Sequence, residues 1–222
     1  MSSAPSPPAH ADSDRRCPSW LLNLPMRRSL SPMRRWLERC GIGPGETVAD
    51  LGAGTGMLLP WILERVGDSG TVWMVDIDPR NLMAARRKLG GTVRFAERVR
   101  WLAHSAAALP EISTGSIDLA VSFGLLCCMV EKEKAVDELY RILKPGGRAL
   151  VNFHCLDLPI SERARALRMT WERWQRLRAR APWITEPGLS HGRWIHTECL
   201  RKPTGAPGPE RMFRSSSRIH QE

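Results

Sequence analysis

The stretch Val48-Ala49-Asp50-Leu51-Gly52-Ala53-Gly54-Thr55-Gly56 decides the fold. Residues 47–51 are a short apolar run closed by a glycine cluster, which reads as a buried strand. Glycines at alternate positions then let the chain turn tightly and leave bare backbone for a ligand to approach. Residues 57–66 read as a helix, with Pro60 near its start, where it removes at most one ladder bond. A strand, a glycine loop and a helix in succession begin an alternating α/β chain.

The alternation continues on both sides. Upstream, Met33, Trp36, Leu37 and Cys40 recur at helical spacing, so residues 31–40 are expected to form a helix before the turn cluster 41–46. Downstream, residues 71–75 give a second strand and residues 79–89 a helix with Leu82, Ala85, Arg86 and Leu89 on one face. Residues 99–102, 117–121 and 148–154 give the third, fourth and fifth strands. A helix over 133–143 joins the last two and is expected to stop at Lys144-Pro145-Gly146-Gly147. Alternating strands and helices imply a parallel sheet covered on both faces. Right-handed crossovers put the loops that follow the strands on one edge, where ligands of such sheets bind.

The last third reads differently. Residues 159–180 fit one amphipathic helix, with Ile160, Ala164, Leu167, Trp171 and Trp174 inward and Arg165, Arg168, Arg173, Arg176 and Arg180 outward. Residues 182–186 and 192–201 read as two strands around Gly188-Leu189-Ser190-His191-Gly192. Residues 1–18 and 203–222 are polar tails too poor in apolar side chains to offset their ordering entropy. The whole of 19–202 is then one domain: a helical lid over 19–45, a core over 46–155, and a helix with a hairpin over 156–202.

Composition excludes several classes. A chain of 222 residues with 42% hydrophobic and 25% charged residues is not wholly disordered, collagen-like or a coiled coil. Its longest clean apolar run, 124–130, is far short of a membrane span, and the first residues hold no apolar signal core. The six cysteines match neither a zinc framework nor a disulfide scaffold, so no metal site is expected and reduced thiols in the cytoplasm fit best.

The glycine loop carries the chemistry. Asp76 ends the second strand, twenty residues after Gly56, where an acid can accept ribose hydroxyls. The glycine spacing is G-x-G-x-G, not the G-x-G-x-x-G of dinucleotide sites, and Asp50 lies beside the loop. A carboxylate there disfavours a pyrophosphate and suits a cofactor with an ammonium and a sulfonium. S-adenosylmethionine has both.

The segments VADLGAGTG (48–56), VWMVDIDP (72–79), SIDLAVSFGLL (116–126) and ELYRILKPGGRALV (138–151), in that order, resemble the class I S-adenosylmethionine-dependent methyltransferases. The likeness is greatest to the small-molecule branch that includes the ubiquinone and menaquinone biosynthesis enzymes. It implies a Rossmann-like fold whose mostly parallel seven-stranded sheet ends in a C-terminal antiparallel hairpin. It also implies roles by position. Gly52, Ala53, Gly54, Thr55 and Gly56 would cradle the methionine part, Asp50 would hold its amine, and Asp76 its ribose, with Ile77 against the adenine. Ser105-Ala106 stand where relatives often carry Asp-Ala toward the adenine amino group, and Ser122 and Phe123 would border the sulfonium and the acceptor. Asp118 is expected to be structural. His154 and Asp157, after the fifth strand, are the candidate general bases. Cys127-Cys128 stand where some relatives carry a histidine.

The expected function is in-line methyl transfer to a small-molecule acceptor, with the oligomeric state and the atom methylated left open. Two other readings are an RNA methyltransferase and a cofactor-binding protein without catalysis. The RNA reading draws on charge: of a net +10, residues 26–39 carry five Arg against one Glu and residues 161–180 seven Arg against two Glu. Nucleic-acid binding is possible on those faces but not favoured, because the tryptophans of the second segment fall on its core-facing stripe rather than among the arginines. RNA binding measured across a salt series is expected to be weak and to fade by physiological salt. Tight binding through four arginines would give a log–log slope near −3 on single strands, at roughly −0.7 per phosphate.

Overall fold

The computed structural model describes residues 31–90, 97–154, 167–186 and 195–205. Apolar runs β1 (Thr47–Leu51), β2 (Thr71–Val75), β3 (Val99–Leu102), β4 (Ile117–Phe123) and β5 (Leu143–His154) pair in parallel, and β6 (Ile184–Glu186) and β7 (Ile195–Arg201) complete the sheet. The spatial order is β3-β2-β1-β4-β5-β7-β6, with β7 antiparallel to both β5 and β6. The chain order therefore reverses beside β1, between β2 and β4. Such a switch point is where open α/β sheets leave a crevice at the carboxyl ends of their strands. The seven-stranded sheet and its C-terminal hairpin match the architecture expected from sequence.

Strand side chains alternate between two cores because successive residues point to opposite faces. Val48, Val72, Met74, Leu119, Val121 and Leu150 meet α1 (Ser31–Arg39), α2 (Leu59–Val66) and α3 (Pro79–Leu89) on one face. Ala49, Leu51, Ala120, Val151 and Phe153 meet α4 (Lys132–Ile142) and α5 (Trp171–Arg178) on the other. Pro60 sits in the first turn of α2, where its missing N–H has no intrahelical partner to lose. Asp78 caps α3 by accepting from the Arg80 amide, and Pro79 follows it. Leu82 and Ala85 of the expected α3 stripe are buried, whereas Arg86 is exposed.

Several boundaries differ from expectation: α2 opens at Leu59 rather than at 57 and β6 at Ile184 rather than at 182, and three differences are larger. Strand β4 runs on to Phe123, so Ser122 and Phe123 are its last residues rather than loop residues beyond it. Helix α4 ends at Ile142, and Lys144 to Gly147 are continuous with β5, because Ile117 pairs with Leu143 ahead of the main register. The single helix over 159–180 is not formed: the described part is helical at Trp171–Arg178, and residues 168–170 lie outside it. Thr170 is the physical reason. Its hydroxyl accepts from the Arg173 amide at 3.1 Å, starting a new helix where periodicity alone read a continuous one. The buried residues of α5 are Trp174 and Leu177, while Trp171 is half-buried and Arg168, Arg176 and Arg180 point outward as expected. Residues 159–166, the 188–192 turn, residues 19–30 of the expected lid, the tail 1–18 and residues 206–222 of the other tail fall outside the described residues.

Lys202 closes the hairpin onto α4. Its ammonium is buried and donates to the carbonyls of Tyr140 (2.9 Å) and Leu143 (2.8 Å), which a helix end leaves without partners. Burial, and then the nearby Arg141, lower its pKa. Lys202→Met is expected to cost about 1–3 kcal/mol in urea unfolding, because two buried carbonyls lose their donor.

Candidate functional site at the carboxyl edge

Register places the loop before any side chain does. Asp50 is opposite Met74 and Leu51 opposite Val75, so β1 and β2 end together. The Gly52 and Ala53 amides both donate to the Val75 carbonyl, at 2.8 and 2.9 Å, which folds the chain back over the end of β2. Gly52, Gly54 and Gly56 have φ of 75°, 55° and 69°, a left-handed backbone that residues with a Cβ rarely adopt.

Two acids lie side by side beneath this turn, both buried. Asp76 Oδ2 accepts the Gly54 amide at 2.8 Å, and Oδ1 accepts the Asp78 amide at 2.9 Å and the Asn81 side-chain amide at 3.2 Å. Burial raises its pKa, and those three donors act against the rise. Asp50 has no such help. Burial, reinforced by the charge of Asp76, pushes it up to about 7, and no hydrogen bond lowers it. Among the described residues no donor reaches Asp50, and an acid so buried beside bare glycine backbone is chemically suited to a cationic or donor group.

Other predicted positions gather at the same edge. Asp50 is opposite Val121, so Ser122 and Phe123 follow immediately beside it. Ser122 Oγ is buried and has no hydrogen-bond partner among the described residues. Phe123 stacks on Trp36 of α1, with centroids 6.2 Å apart and 22° between planes. Ser105 and Ala106 are buried just past β3, and the Ser105 hydroxyl accepts the Ala107 amide at 3.3 Å. Ile77 is half-buried beyond Asp76. His154 ends β5, half-buried, opposite Ile195. Its charge and backbone, after the Cys128 contact, help lower the pKa of Cys127 to about 6 against burial. Asp157 lies outside the described residues. Asp118 is at the opposite edge, held by Lys144 at 2.8 Å and by the Thr47 amide at 2.9 Å, in the structural role expected of it.

Not all five loop residues face outward. A Cβ on Gly56 would stand 2.8 Å from the Ala85 Cβ, so this glycine lets α3 approach the loop. Thr55 is buried and engages Lys88, which donates to its hydroxyl at 2.8 Å and its carbonyl at 3.2 Å. A Cβ on Gly52 would meet the Leu125 side chain at 3.0 Å. Sequence reading missed Asn81, Lys88, Leu125 and Trp36. The signal for the first two was their spacing with Ala85 along one face of α3, polar positions that an apolar stripe passes over. Among the described residues no cluster of three or more His, Cys, Asp or Glu is suited to a metal ion.

Residues 48–147 match the family described as Methyltransferase domain. Ubiquinone/menaquinone biosynthesis C-methyltransferase UbiE of Enterobacter sp. (strain 638) is 40% identical over 115 residues, 52% of this chain and 45% of that protein. The chain thus spans about half the length of the curated relatives it matches. A S-adenosylmethionine-dependent methyltransferase from Aquifex aeolicus superposes with a TM-score of 0.67 at 20% identity, over 82% of this chain and 96% of that one. Phosphoethanolamine N-methyltransferase 2 of Haemonchus contortus, solved with S-adenosyl-L-methionine, gives 0.63 at 15% identity over 79% of this chain and 53% of that one. The matched stretch is thus similar to a methyltransferase domain and to the UbiE enzymes, and the fold is shared with solved S-adenosylmethionine-dependent methyltransferases.

The tight approach at Gly56 is testable apart from any ligand. Gly56→Ala is expected to lower the melting temperature, and adding Ala85→Gly to recover part of the loss, since the clash goes but the positive φ remains.

Proposed function

We propose that this chain transfers a methyl group from S-adenosylmethionine to a carbon of a small-molecule acceptor in the cytoplasm. The observation that carries the reading is Asp50: a buried acid without a donor, beside a glycine loop that the neighbouring Asp76 anchors. The residues present fit the cofactor. Asp50 would take its ammonium, and Gly52 to Gly54 would lie along its methionine chain. Asp76 has three of its roughly four acceptor positions filled internally, leaving one clear position for a ribose hydroxyl. Ser105 and Ala106 would border the adenine, with Ile77 on its face. The matched curated relatives are named as C-methyltransferases, which favours carbon as the acceptor atom.

When bound, the cofactor supplies an electrophilic methyl on a cationic sulfur. The protein's part is to hold the acceptor in line and to keep water away. Phe123, stacked on Trp36, gives the edge an apolar wall, and α1 serves as the lid there. Ser122 Oγ is a free hydroxyl beside it, able to orient a polar group of the acceptor. A carbon acceptor must shed a proton, and the His154 imidazole is the described base placed at this edge to receive it.

Calorimetry with S-adenosylhomocysteine tests the reading. Asp76→Ala is expected to weaken binding by at least about tenfold, the loss of a charge-assisted hydrogen bond. The wild-type affinity should rise with pH up to about 7 and then level, because the ligand's ammonium needs Asp50 ionised. Asp50→Asn should bind weakly with a flat profile over that range. Without ligand the sign reverses. A folded-state pKa above the unfolded value means stability is fully present below the unfolded pKa and is lost as pH rises toward 7. Asp50→Asn is therefore expected to melt higher than wild type above neutral pH. No binding by wild type at any pH would refute the reading.

A further inference from the structure

Helix α3 reaches the site from behind with one line of positions. At its N-cap, the Asp78 amide donates to Asp76 Oδ1 at 2.9 Å, and the Asn81 side-chain amide donates to the same oxygen at 3.2 Å. Ala85 packs against Gly56, and Lys88 donates to the Thr55 hydroxyl and carbonyl at 2.8 and 3.2 Å. Steps of three and four residues keep 78, 81, 85 and 88 on one helix face. The first half of that face therefore grips the acid that ends β2. The second half grips the far side of the glycine loop. A single rigid element sets the distance between the two.

We infer that Asn81 and Lys88 are positioning residues for the cofactor, Asn81 by orienting the Asp76 carboxylate and Lys88 by fixing the loop at Thr55. The inference rests on the cofactor reading above. Neither side chain is placed to touch the ligand. Asn81 is buried and spends its amide on Asp76 Oδ1, which leaves the other oxygen to the Gly54 amide. Lys88 belongs to an exposed stretch of α3, so its removal leaves the hydrophobic core intact. Its ammonium holds Thr55 and so fixes the course of the glycine loop beyond Gly54, whose amide is anchored separately by Asp76 Oδ2. The two residues divide the cofactor between them. Asn81 governs the ribose half, and Lys88 governs the half that lies along the loop.

That division gives a test that general loss of stability would not mimic. Affinities of S-adenosylhomocysteine and of 5′-methylthioadenosine, which keeps the ribose but lacks the amino-acid chain, are compared by calorimetry. Lys88→Met is expected to weaken the first by about fivefold, one hydrogen bond's worth, while the second stays within about twofold. Lys88→Arg should restore the first. Asn81→Leu should weaken both ligands by about fivefold, since both carry the ribose. If Asn81→Leu does not fold, Asn81→Ala serves, and Lys88→Met carries the test on its own. Equal weakening of both ligands by Lys88→Met, or no change in either, overturns the loop role. Unchanged affinities in the Asn81 variant overturn the carboxylate role. Failure of the wild type to bind either ligand overturns the cofactor reading first, and this inference with it.

Discussion

The hydrogen bond from the Gly54 amide to Asp76 Oδ2 ties the glycine loop to the end of β2, and the rest of the site is arranged about it. Burial raises the pKa of that carboxyl, so its charged form needs stabilisation. Three donors supply that stabilisation: two backbone amides and Asn81. The neighbouring Asp50 is left without any, and its pKa rises accordingly. Two adjacent buried acids with such different surroundings are not a device for stability, because one of them costs the ligand-free fold free energy above its folded pKa. The asymmetry assigns roles. Asp76 is bound into the scaffold and presents what remains of its acceptor capacity. Asp50 has no positive partner among the described residues, which is what the proposed ammonium contact would supply.

Most of this was legible in the sequence because it follows from local rules. The order of strand, glycine loop, helix and acid implies the parallel sheet and the edge on which Asp50, Asp76, Ser122 and Phe123 meet, while the strand order with its switch point came from the structure. What one strand's sequence could not show was the other side of each contact. Gly56 reads as one more loop glycine, yet its missing Cβ makes room for Ala85, a residue from the next helix. Thr55 reads as a cofactor contact, yet its oxygens engage Lys88. Asn81 and Lys88 were passed over because a hydrophobic stripe, Leu82 and Leu89, accounts for α3 as a helix without them. A polar residue on an inward face becomes visible only when its buried partner is known.

The C-terminal third shows the opposite failure, a pattern that read too smoothly. Periodicity joined residues 159–180 into one helix, but Thr170 competes for the Arg173 amide and starts a new one. The consequence reaches the core. Trp174, carried inward by the restarted helix, packs on Phe153 and donates its indole N–H to the buried Glu198 of β7 at 2.9 Å. Arg178 lies 3.6 Å from the same carboxylate. The antiparallel strand is thus fastened to α5 through a polar group that is satisfied on both sides, which a buried acid needs. Glu198 was read only as part of a strand. Its partners lie 20 and 24 residues away in the chain.

Comparison of the chain's acids separates fold from function more cleanly than conservation of type could. Asp118 within β4 and Asp76 just past β2 both accept backbone amides, but they stand at opposite edges of the sheet. At the amino edge, Asp118 meets the Lys144 ammonium, so its charge is neutralised within the protein. At the carboxyl edge, among the described residues, the donors to Asp76 are neutral and Asp50 has none, so no cation offsets these acids there. Placing the cations elsewhere is the point. Lys88 approaches the loop but spends its hydrogen bonds on Thr55, and Arg80 spends its own on Asp78. A cationic side chain on Asp50 would stabilise the empty fold and compete with a cofactor ammonium for the same carboxylate. Among the described residues no arginine or lysine reaches that acid, so the cost of burying it is not offset there by a cation of the protein.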